Sequence, residues 1–177
     1  MNRINKDAVL KIYNKLSIVL GLGTLIILLV YFNGFPDIMN GTVDKNIFNL
    51  NFITGTGNEV GIINSPIIWF ILFFIINLGV LIYTQTGEKV TESRIVESIF
   101  YNTILSFFLI VAQVVFYYFI PETINGAVNI GLFKYEFVEL TDKSSVGINF
   151  AYIIASVYTI YNIVVVFLET RTSEIDL

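Results

Sequence analysis

The amino-acid sequence predicts an all-α integral membrane protein with four transmembrane helices. These would come from a tandem-duplicated helical hairpin with a small extracellular β-structure, one strand or hairpin per repeat. Three observations lead to this fold class. Of the 177 residues, 55% are hydrophobic and only 14% are charged, and the mean hydropathy is +0.77. Such a composition is typical of a chain in lipid rather than of a water-soluble core. The chain also contains four long uncharged apolar runs, and the segment after the first run returns after the third.

The four apolar runs are each close to the roughly 20 residues that a helix needs to cross the hydrocarbon of a bilayer. They predict transmembrane helices at about 16–35, 67–83, 99–120 and 148–168, with outer loops at 36–66 and 121–147. A basic start followed by an apolar run also fits a signal peptide. No small-residue cleavage pattern follows the first run, so we expect an uncleaved helix there.

The repeat is clearest where Pro36–Ile53 aligns with Pro121–Val138 without a gap. Chance would give about one identity over this length. The alignment has six, which are Pro36/Pro121, Asn40/Asn125, Gly41/Gly126, Val43/Val128, Phe48/Phe133 and Phe52/Phe137. We therefore expect repeats at 1–90 and 91–177, in the same orientation and related by a pseudo-two-fold axis along the membrane normal. The offset, meaning the difference in residue number between corresponding positions of the two repeats, is 85 at this motif. After the loops the alignment predicts an offset of 86, with Val60 matched to Val146.

Both outer loops show the period-two pattern of a half-buried strand. Its apolar members are Phe48, Leu50 and Phe52 in the first loop, and Phe133, Tyr135 and Phe137 in the second. The dipeptides Asn40-Gly41 and Asn125-Gly126 predict type I′ turns and thus short hairpins. We expect a small sheet with one strand pair from each repeat, its apolar face toward the helix ends. Four spans with a β-structured outer cap resemble the claudin-like proteins in outline. The Trp and Cys pattern of the first claudin loop is absent, so no function is carried over.

Orientation follows from the positive residues. Seven of the ten Lys and Arg lie in the N-terminal segment, the 84–98 loop and the C-terminal segment. The positive-inside rule therefore predicts cytoplasmic N- and C-termini and both repeated loops outside.

The chain has no Cys and no His, and the four runs contain no Asp, Glu, Lys or Arg. These absences argue against thiol or imidazole chemistry, Cys/His metal sites and proton-coupled transport. We expect no enzyme, no catalytic, cofactor-binding or metal-binding residue and no nucleic-acid partner. The sequence Asn40-Gly41-Thr42 matches a glycosylation sequon, and whether it is used stays open.

Uncharged polar residues within the runs form a candidate intramembrane seam: Asn77, Gln113, Tyr158, Thr159 and Asn162. On the fourth helix Ala151, Ala155, Tyr158 and Asn162 fall on one face, as small and polar residues do where helices meet in lipid. These residues either form hydrogen bonds between helices or line a permeation or binding path. The offset of 86 would set Asn77 opposite Ile163, not Asn162.

Two functions lead, and a membrane enzyme, whose reactive groups a partner or a bound cofactor would have to supply, ranks last. The favoured hypothesis is a non-catalytic interaction or packing subunit of a larger membrane complex or of a homo-oligomer. Its partners would be the lipid bilayer and other membrane-protein subunits or a second copy of the chain. The alternative is a channel or uncoupled transporter whose pore is lined by the uncharged polar seam.

Overall fold

Four helices form where the apolar runs predict them. In a computed structural model they are α1 (Lys6–Asn33), α2 (Ser65–Gln85), α3 (Ser93–Phe119) and α4 (Phe150–Ile175). The structure describes residues 6–35, 38–85, 93–127, 129–130 and 133–175. Three of the helices continue beyond the apolar runs into polar sequence, α1 and α3 at their starts and α4 at its end. Backbone hydrogen bonding does not stop where hydrophobicity does, so the runs set only the apolar part of each helix.

Three helical segments within the described residues are long and apolar enough to cross a membrane, at Ala8–Asn33, Ser65–Thr84 and Val96–Phe119. The apolar section of α4 is shorter, Phe150–Val165. Three such helices indicate a membrane protein.

The helices form a ring in which each packs on two neighbours: α1 on α2 and α4, and α3 on α2 and α4. Small residues allow close approach along these seams. A Cβ added to Gly21 of α1 would lie 3.4 Å from the Tyr158 ring and 3.4 Å from Thr159 Oγ1, both on α4. A Cβ on Gly23 would lie 3.2 Å from the Trp69 ring of α2. Glycine thus lets the backbone of α1 come close to both neighbours.

The segments between α1 and α2 and between α3 and α4 hold eight strands among the described residues: β1 (Ile38–Thr42), β2 (Asp44–Asn46), β3 (Asn49–Ile53), β4 (Glu59–Ile63), β5 (Thr123–Ala127), β6 (Asn129–Ile130), β7 (Lys134–Val138) and β8 (Ser144–Ile148). They form two antiparallel sheets of order β2-β3-β4 and β6-β7-β8, and a third in which β1 pairs with β5. The fold is therefore mixed helix and sheet rather than all-α. The sequence underestimated the strands because most are short and rich in Asn, Gly, Lys or Ser, which have low strand propensity.

The predicted Asn-Gly hairpin turns are wrong. Asn40-Gly41 lies inside β1 and Asn125-Gly126 inside β5, and the two strands pair with each other. Gly41 has a φ of +109° and Gly126 of +112°, a region that costs glycine little and other residues much. The dipeptides serve a strand with an unusual backbone, and the β1–β5 ladder joins the two loop segments at one end of the bundle. Pro36 of the repeated motif lies outside the described residues, and Pro121 lies two residues after the end of α3.

Corresponding hydrogen bonds in the two loop segments are 85 residues apart throughout. Asn49 pairs with Ile63, and Lys134 pairs with Ile148. The turns that follow β3 and β7 match as well, with left-handed residues Gly57 and Asp142 at φ values of +80° and +58°. The predicted change of offset to 86 is therefore wrong: strand pairing aligns Val60 with Ser145, a match that residue identity does not reveal.

A continuous apolar core runs from the helices into the sheets. The alternation predicted for the loops is present in β3 and β7, where Leu50, Phe52, Tyr135 and Phe137 are buried in one core with helix residues such as Phe32 and Phe116. The first aromatic of each pattern departs from it, because Phe48 and Phe133 precede the strands and are exposed. Burial of four large side chains fixes the sheets on the helix ends.

Candidate functional site

Amide and hydroxyl side chains gather inside the helix ring. We call this group the polar cluster: Tyr13 of α1, Asn77 of α2, Asn102 and Ser106 of α3, and Tyr158 and Asn162 of α4. All are buried. Asn77 and Asn162 each follow the first residue of their helix by twelve positions. Both therefore lie roughly 18 Å along the helix from the end of the bundle that carries the sheets, which we call the capped end. The cluster therefore sits within the apolar length of the bundle.

Hydrogen bonds connect all four helices through the polar cluster. The Tyr13 hydroxyl donates to Asn77 Oδ1, and Asn77 Nδ2 donates to Ser106 Oγ at 3.4 Å. Asn102 Nδ2 donates to Asn162 Oδ1 at 3.1 Å and lies 3.5 Å from the Tyr13 hydroxyl. Asn162 Nδ2 donates to the backbone carbonyl of Tyr158 at 3.0 Å. Each such bond between helices in lipid contributes about 0.6–2 kcal/mol.

Two polar atoms of the cluster are left without a hydrogen-bond partner among the described residues, Asn102 Oδ1 and the Tyr158 hydroxyl. The Tyr158 ring packs edge-on against Phe73 of α2, with centroids 5.1 Å apart. That contact crosses the ring of helices, since α2 and α4 are not neighbours in it. Tyr158 thus fills the middle of the bundle mainly as an aromatic group.

The five residues predicted as one seam are all buried, but the structure places them in three groups. Asn77, Tyr158 and Asn162 belong to the polar cluster. Gln113 lies toward the capped end, where its Nε2 donates to Asn64 Oδ1 at 3.2 Å. Thr159 faces α1, with Oγ1 donating to the Gly21 carbonyl at 3.1 Å. The structure therefore brings Asn77, Tyr158 and Asn162 together and gives Gln113 and Thr159 other partners.

Sequence reasoning missed Tyr13, Asn102, Ser106 and Asn64. Asn102 lies inside the third apolar run, where an amide is as unusual as at Asn77, so composition alone was a sufficient signal for it. Tyr13 lies before the first run, among lysines, and its burial depends on α1 starting earlier than the apolar pattern. Asn64 and Asn149 immediately precede α2 and α4, and Asn149 Oδ1 accepts the Tyr152 N–H at 3.0 Å as a helix N-cap.

At the capped end, Lys45 connects the first loop segment to α3. Its Nζ donates to the Ile120 carbonyl at 2.6 Å and lies 5.9 Å from the centroid of the Tyr117 ring. A cation here meets the negative end of the α3 dipole and one of the carbonyls left free by the end of the helix.

Chemically, the polar cluster offers neutral amides and hydroxyls. Among the side chains whose burial the structure describes, no Asp, Glu, Lys or Arg is buried. Across those same residues, no group of three His, Cys, Asp or Glu side chains is placed to hold a metal ion. The cluster can bind by hydrogen bonding and can hold four helices in register.

No protein-family model matches the chain, and no curated protein and no solved structure is significantly similar to it.

Proposed function

We propose that the chain is a four-helix integral membrane protein of two tandem repeats, 1–90 and 91–177, acting as a non-catalytic interaction and packing subunit. Its assembly would be a larger membrane complex or a homo-oligomer. The observation that carries this proposal is the polar cluster, whose amides bond to one another, to neighbouring hydroxyls and to backbone. An interior in which most polar atoms of the cluster are already paired favours a function of the outer surfaces.

Four spans are proposed rather than three because α4 lies in the same ring as the others, packed on α1 and α3. Its 26 residues extend over roughly 39 Å, more than the hydrocarbon thickness of about 30 Å. A helix flanked by two membrane-spanning neighbours shares their depth.

Tandem duplication is supported by the constant offset of 85 between the sheets. The same offset relates the residues before the helices, Asn64 and Asn149, and then Asn77 and Asn162 within them. Asn64 N donates to the Phe48 carbonyl at 2.7 Å, and Asn149 N donates to the Phe133 carbonyl at 3.0 Å. Two segments of unrelated origin would not be expected to share hydrogen bonds at one spacing.

Sidedness is proposed from charge, with the termini cytoplasmic and the sheets outside. The chain contains no Cys, so single cysteines test it directly. Thr56→Cys, in the turn after β3, should react with a membrane-impermeant maleimide on intact cells, whereas Lys11→Cys should react only after permeabilisation. The reverse pattern would contradict the proposed orientation.

The surfaces available for partners are the lipid-facing sides of the helices. On α3 these are aromatic, with Phe100, Phe107 and Phe108 exposed, and Phe107 lies 6.1 Å from Phe74 of α2, centroid to centroid. Aromatic and apolar surface without charge suits lateral contact with other membrane helices as well as with lipid tails.

The channel alternative is less well supported. Its pore would need Asn77, Gln113, Tyr158, Thr159 and Asn162 along one path, and they lie in three groups buried inside a single bundle. A pore formed between copies would not reach these side chains either. The alternative still makes a measurable prediction, that protein in liposomes passes an ion or small solute and that Asn162→Leu alters the flux.

The deciding experiment is native mass spectrometry of the protein extracted from its own membrane in mild detergent. A stoichiometric complex with other chains, or a homo-oligomer, is expected. A matched pair of variants locates the contact: Phe107→Ser on the aromatic side of α3, and Val19→Ser on the exposed apolar side of α1. Recovery of the native protein only as a monomer, with cross-linking before extraction giving the same result, would contradict the proposal.

A further inference from the structure

Each three-stranded sheet carries an exposed phenylalanine and an exposed isoleucine at its helix end. We call these the Phe–Ile pairs: Phe48 with Ile63, and Phe133 with Ile148. The members of the first pair are 45% and 64% exposed and those of the second 60% and 52%. Exposed apolar side chains are common singly, but here the same two residue types recur at the same place in both sheets.

Backbone hydrogen bonds fix how far these side chains lie from the helices. The Phe48 carbonyl accepts the N–H of Asn64, the residue directly before α2. The Phe133 carbonyl accepts the N–H of Asn149, directly before α4. Ile63 and Ile148 each precede these asparagines by one residue. All four side chains are therefore level with the first turn of a helix.

The opposite end of the first sheet carries a polar turn. β4 runs five residues from the helix end to the turn at 54–58, a length of roughly 17 Å. That turn is closed by its own polar groups, with Thr54 Oγ1 2.8 Å from Thr56 Oγ1 and Asn58 Nδ2 donating to Thr56 Oγ1 at 3.2 Å. The first sheet thus carries its Phe–Ile pair at the end next to α2 and a hydrogen-bonded polar turn at its other end.

The two Phe–Ile pairs lie at opposite corners of the bundle. They sit at the starts of α2 and α4, which are diagonal in the helix ring because each neighbours α1 and α3. Ile68 in the first turn of α2 and Phe150, the first residue of α4, are exposed too. Apolar surface therefore continues from each pair onto the outside of a membrane-length bundle.

We propose that the two Phe–Ile pairs insert into the outer leaflet of the bilayer, at the boundary between headgroups and acyl chains. The proposal rests on the proposed membrane embedding of the helices. A lipid surface is the occupant that fits, because it surrounds the bundle and reaches both diagonal corners equally, whereas a single protein partner would cover one side. The apolar face of an interfacial helix enters this boundary by about 5–10 Å, and we expect a similar depth for these side chains. The sheets are then a cap seated on the membrane at two points.

The absence of Cys allows a direct depth measurement. Single variants Phe48→Cys, Ile63→Cys, Phe133→Cys and Ile148→Cys would each carry a nitroxide in lipid nanodiscs. Power-saturation electron paramagnetic resonance would then compare collisions with oxygen, which concentrates in lipid, and with a water-soluble nickel chelate. Leu140→Cys is the matched control, since Leu140 is 51% exposed and apolar but lies in the turn between β7 and β8, at the opposite end of that sheet from Phe133 and Ile148. Ile75→Cys, 58% exposed in α2, reports on the helix.

The expected result is a ratio of oxygen to nickel collisions several-fold higher at the Phe–Ile positions than at Leu140. Three outcomes would overturn the proposal: ratios equal to that at Leu140, protection from both reagents, which would indicate a protein partner or a second copy, and a lipid signal at only one pair. The label at position 75 distinguishes insertion of the Phe–Ile pairs from membrane embedding of the helices. If Ile75 reports lipid and the pairs do not, only this inference fails, and if Ile75 reports water, the membrane embedding itself fails.

Discussion

Asn40 lies directly opposite Asn125 at the centre of the β1–β5 ladder. On either side Met39 faces Gly126 and Gly41 faces Ile124, so each strand sets one glycine against one buried side chain of the other. A two-stranded ladder is marginal by itself. This one is held because Met39 and Ile124 are buried in the core that the cap shares with the helices. The two loop segments, far apart in the chain, therefore fold as one cap.

The bond between Asn102 and Asn162 predicts measurable coupling between α3 and α4. In a double-mutant cycle of Asn102→Leu and Asn162→Leu, we expect a coupling free energy of about 0.6–1.7 kcal/mol. The measurement is the free energy of unfolding in detergent or bicelles for both single variants and the double variant. Gln113→Leu with Asn162→Leu is the control cycle, because Gln113 bonds to Asn64 instead, and should couple weakly. Equal coupling in both cycles would show that the three-group arrangement is incorrect.

Two tyrosines in the polar cluster predict opposite responses to loss of a hydroxyl. Tyr13→Phe removes the donor to Asn77 Oδ1 and leaves a buried carbonyl oxygen with one bond fewer, at a cost of about 1–3 kcal/mol. Tyr158→Phe removes a hydroxyl that has no partner among the described residues and keeps the ring contact with Phe73, so stability should be unchanged or higher. Thermal unfolding followed by circular dichroism gives the sign for each. A Tyr158→Phe loss as large as that of Tyr13→Phe would contradict this assignment.

Lys45 is predicted to stabilise the end of α3. Lys45→Met keeps the aliphatic stem but removes the ammonium that binds the Ile120 carbonyl, and should cost about 0.5–2 kcal/mol of unfolding free energy. Lys134→Met, which changes an exposed lysine in β7, should lie within about 0.5 kcal/mol of the wild type. If both variants lose the same stability, net charge rather than the helix end is responsible.

The cap should weaken at alkaline pH. Burial, and secondarily the neighbouring Tyr31, raise the pKa of Tyr135 above its ordinary value of 10.0. The folded state therefore favours the neutral phenol: its contribution to stability is complete below pH 10 and is lost progressively as the pH rises further. We expect the melting temperature to fall above pH 10, and Tyr135→Phe to reduce that dependence. Tyr118→Phe, at an exposed position, is the control, and parallel curves for Tyr135→Phe and wild type would contradict the prediction.

Local patterns in the sequence determined the helices and the sides of the strands. An apolar run of about 20 residues must be helical in lipid, since no other open segment satisfies its own backbone hydrogen bonds. Period-two alternation likewise placed Leu50, Phe52, Tyr135 and Phe137 in the core, because successive side chains of a strand face opposite ways. Both patterns concern neighbours within a few residues, so one sequence is enough to read them.

Tertiary structure alone decided how the polar groups pair and which strands meet. Asn40-Gly41 fits a hairpin turn equally well until β5 is available as a partner 85 residues away, and backbone pairing, not residue identity, keeps the offset at 85 through β4 and β8. In the same way the sequence identified Asn77, Gln113 and Asn162 as polar residues in lipid but could not assign their partners. A hydrogen bond requires two groups within about 3 Å, and that distance is set by how whole helices pack, which no local pattern encodes.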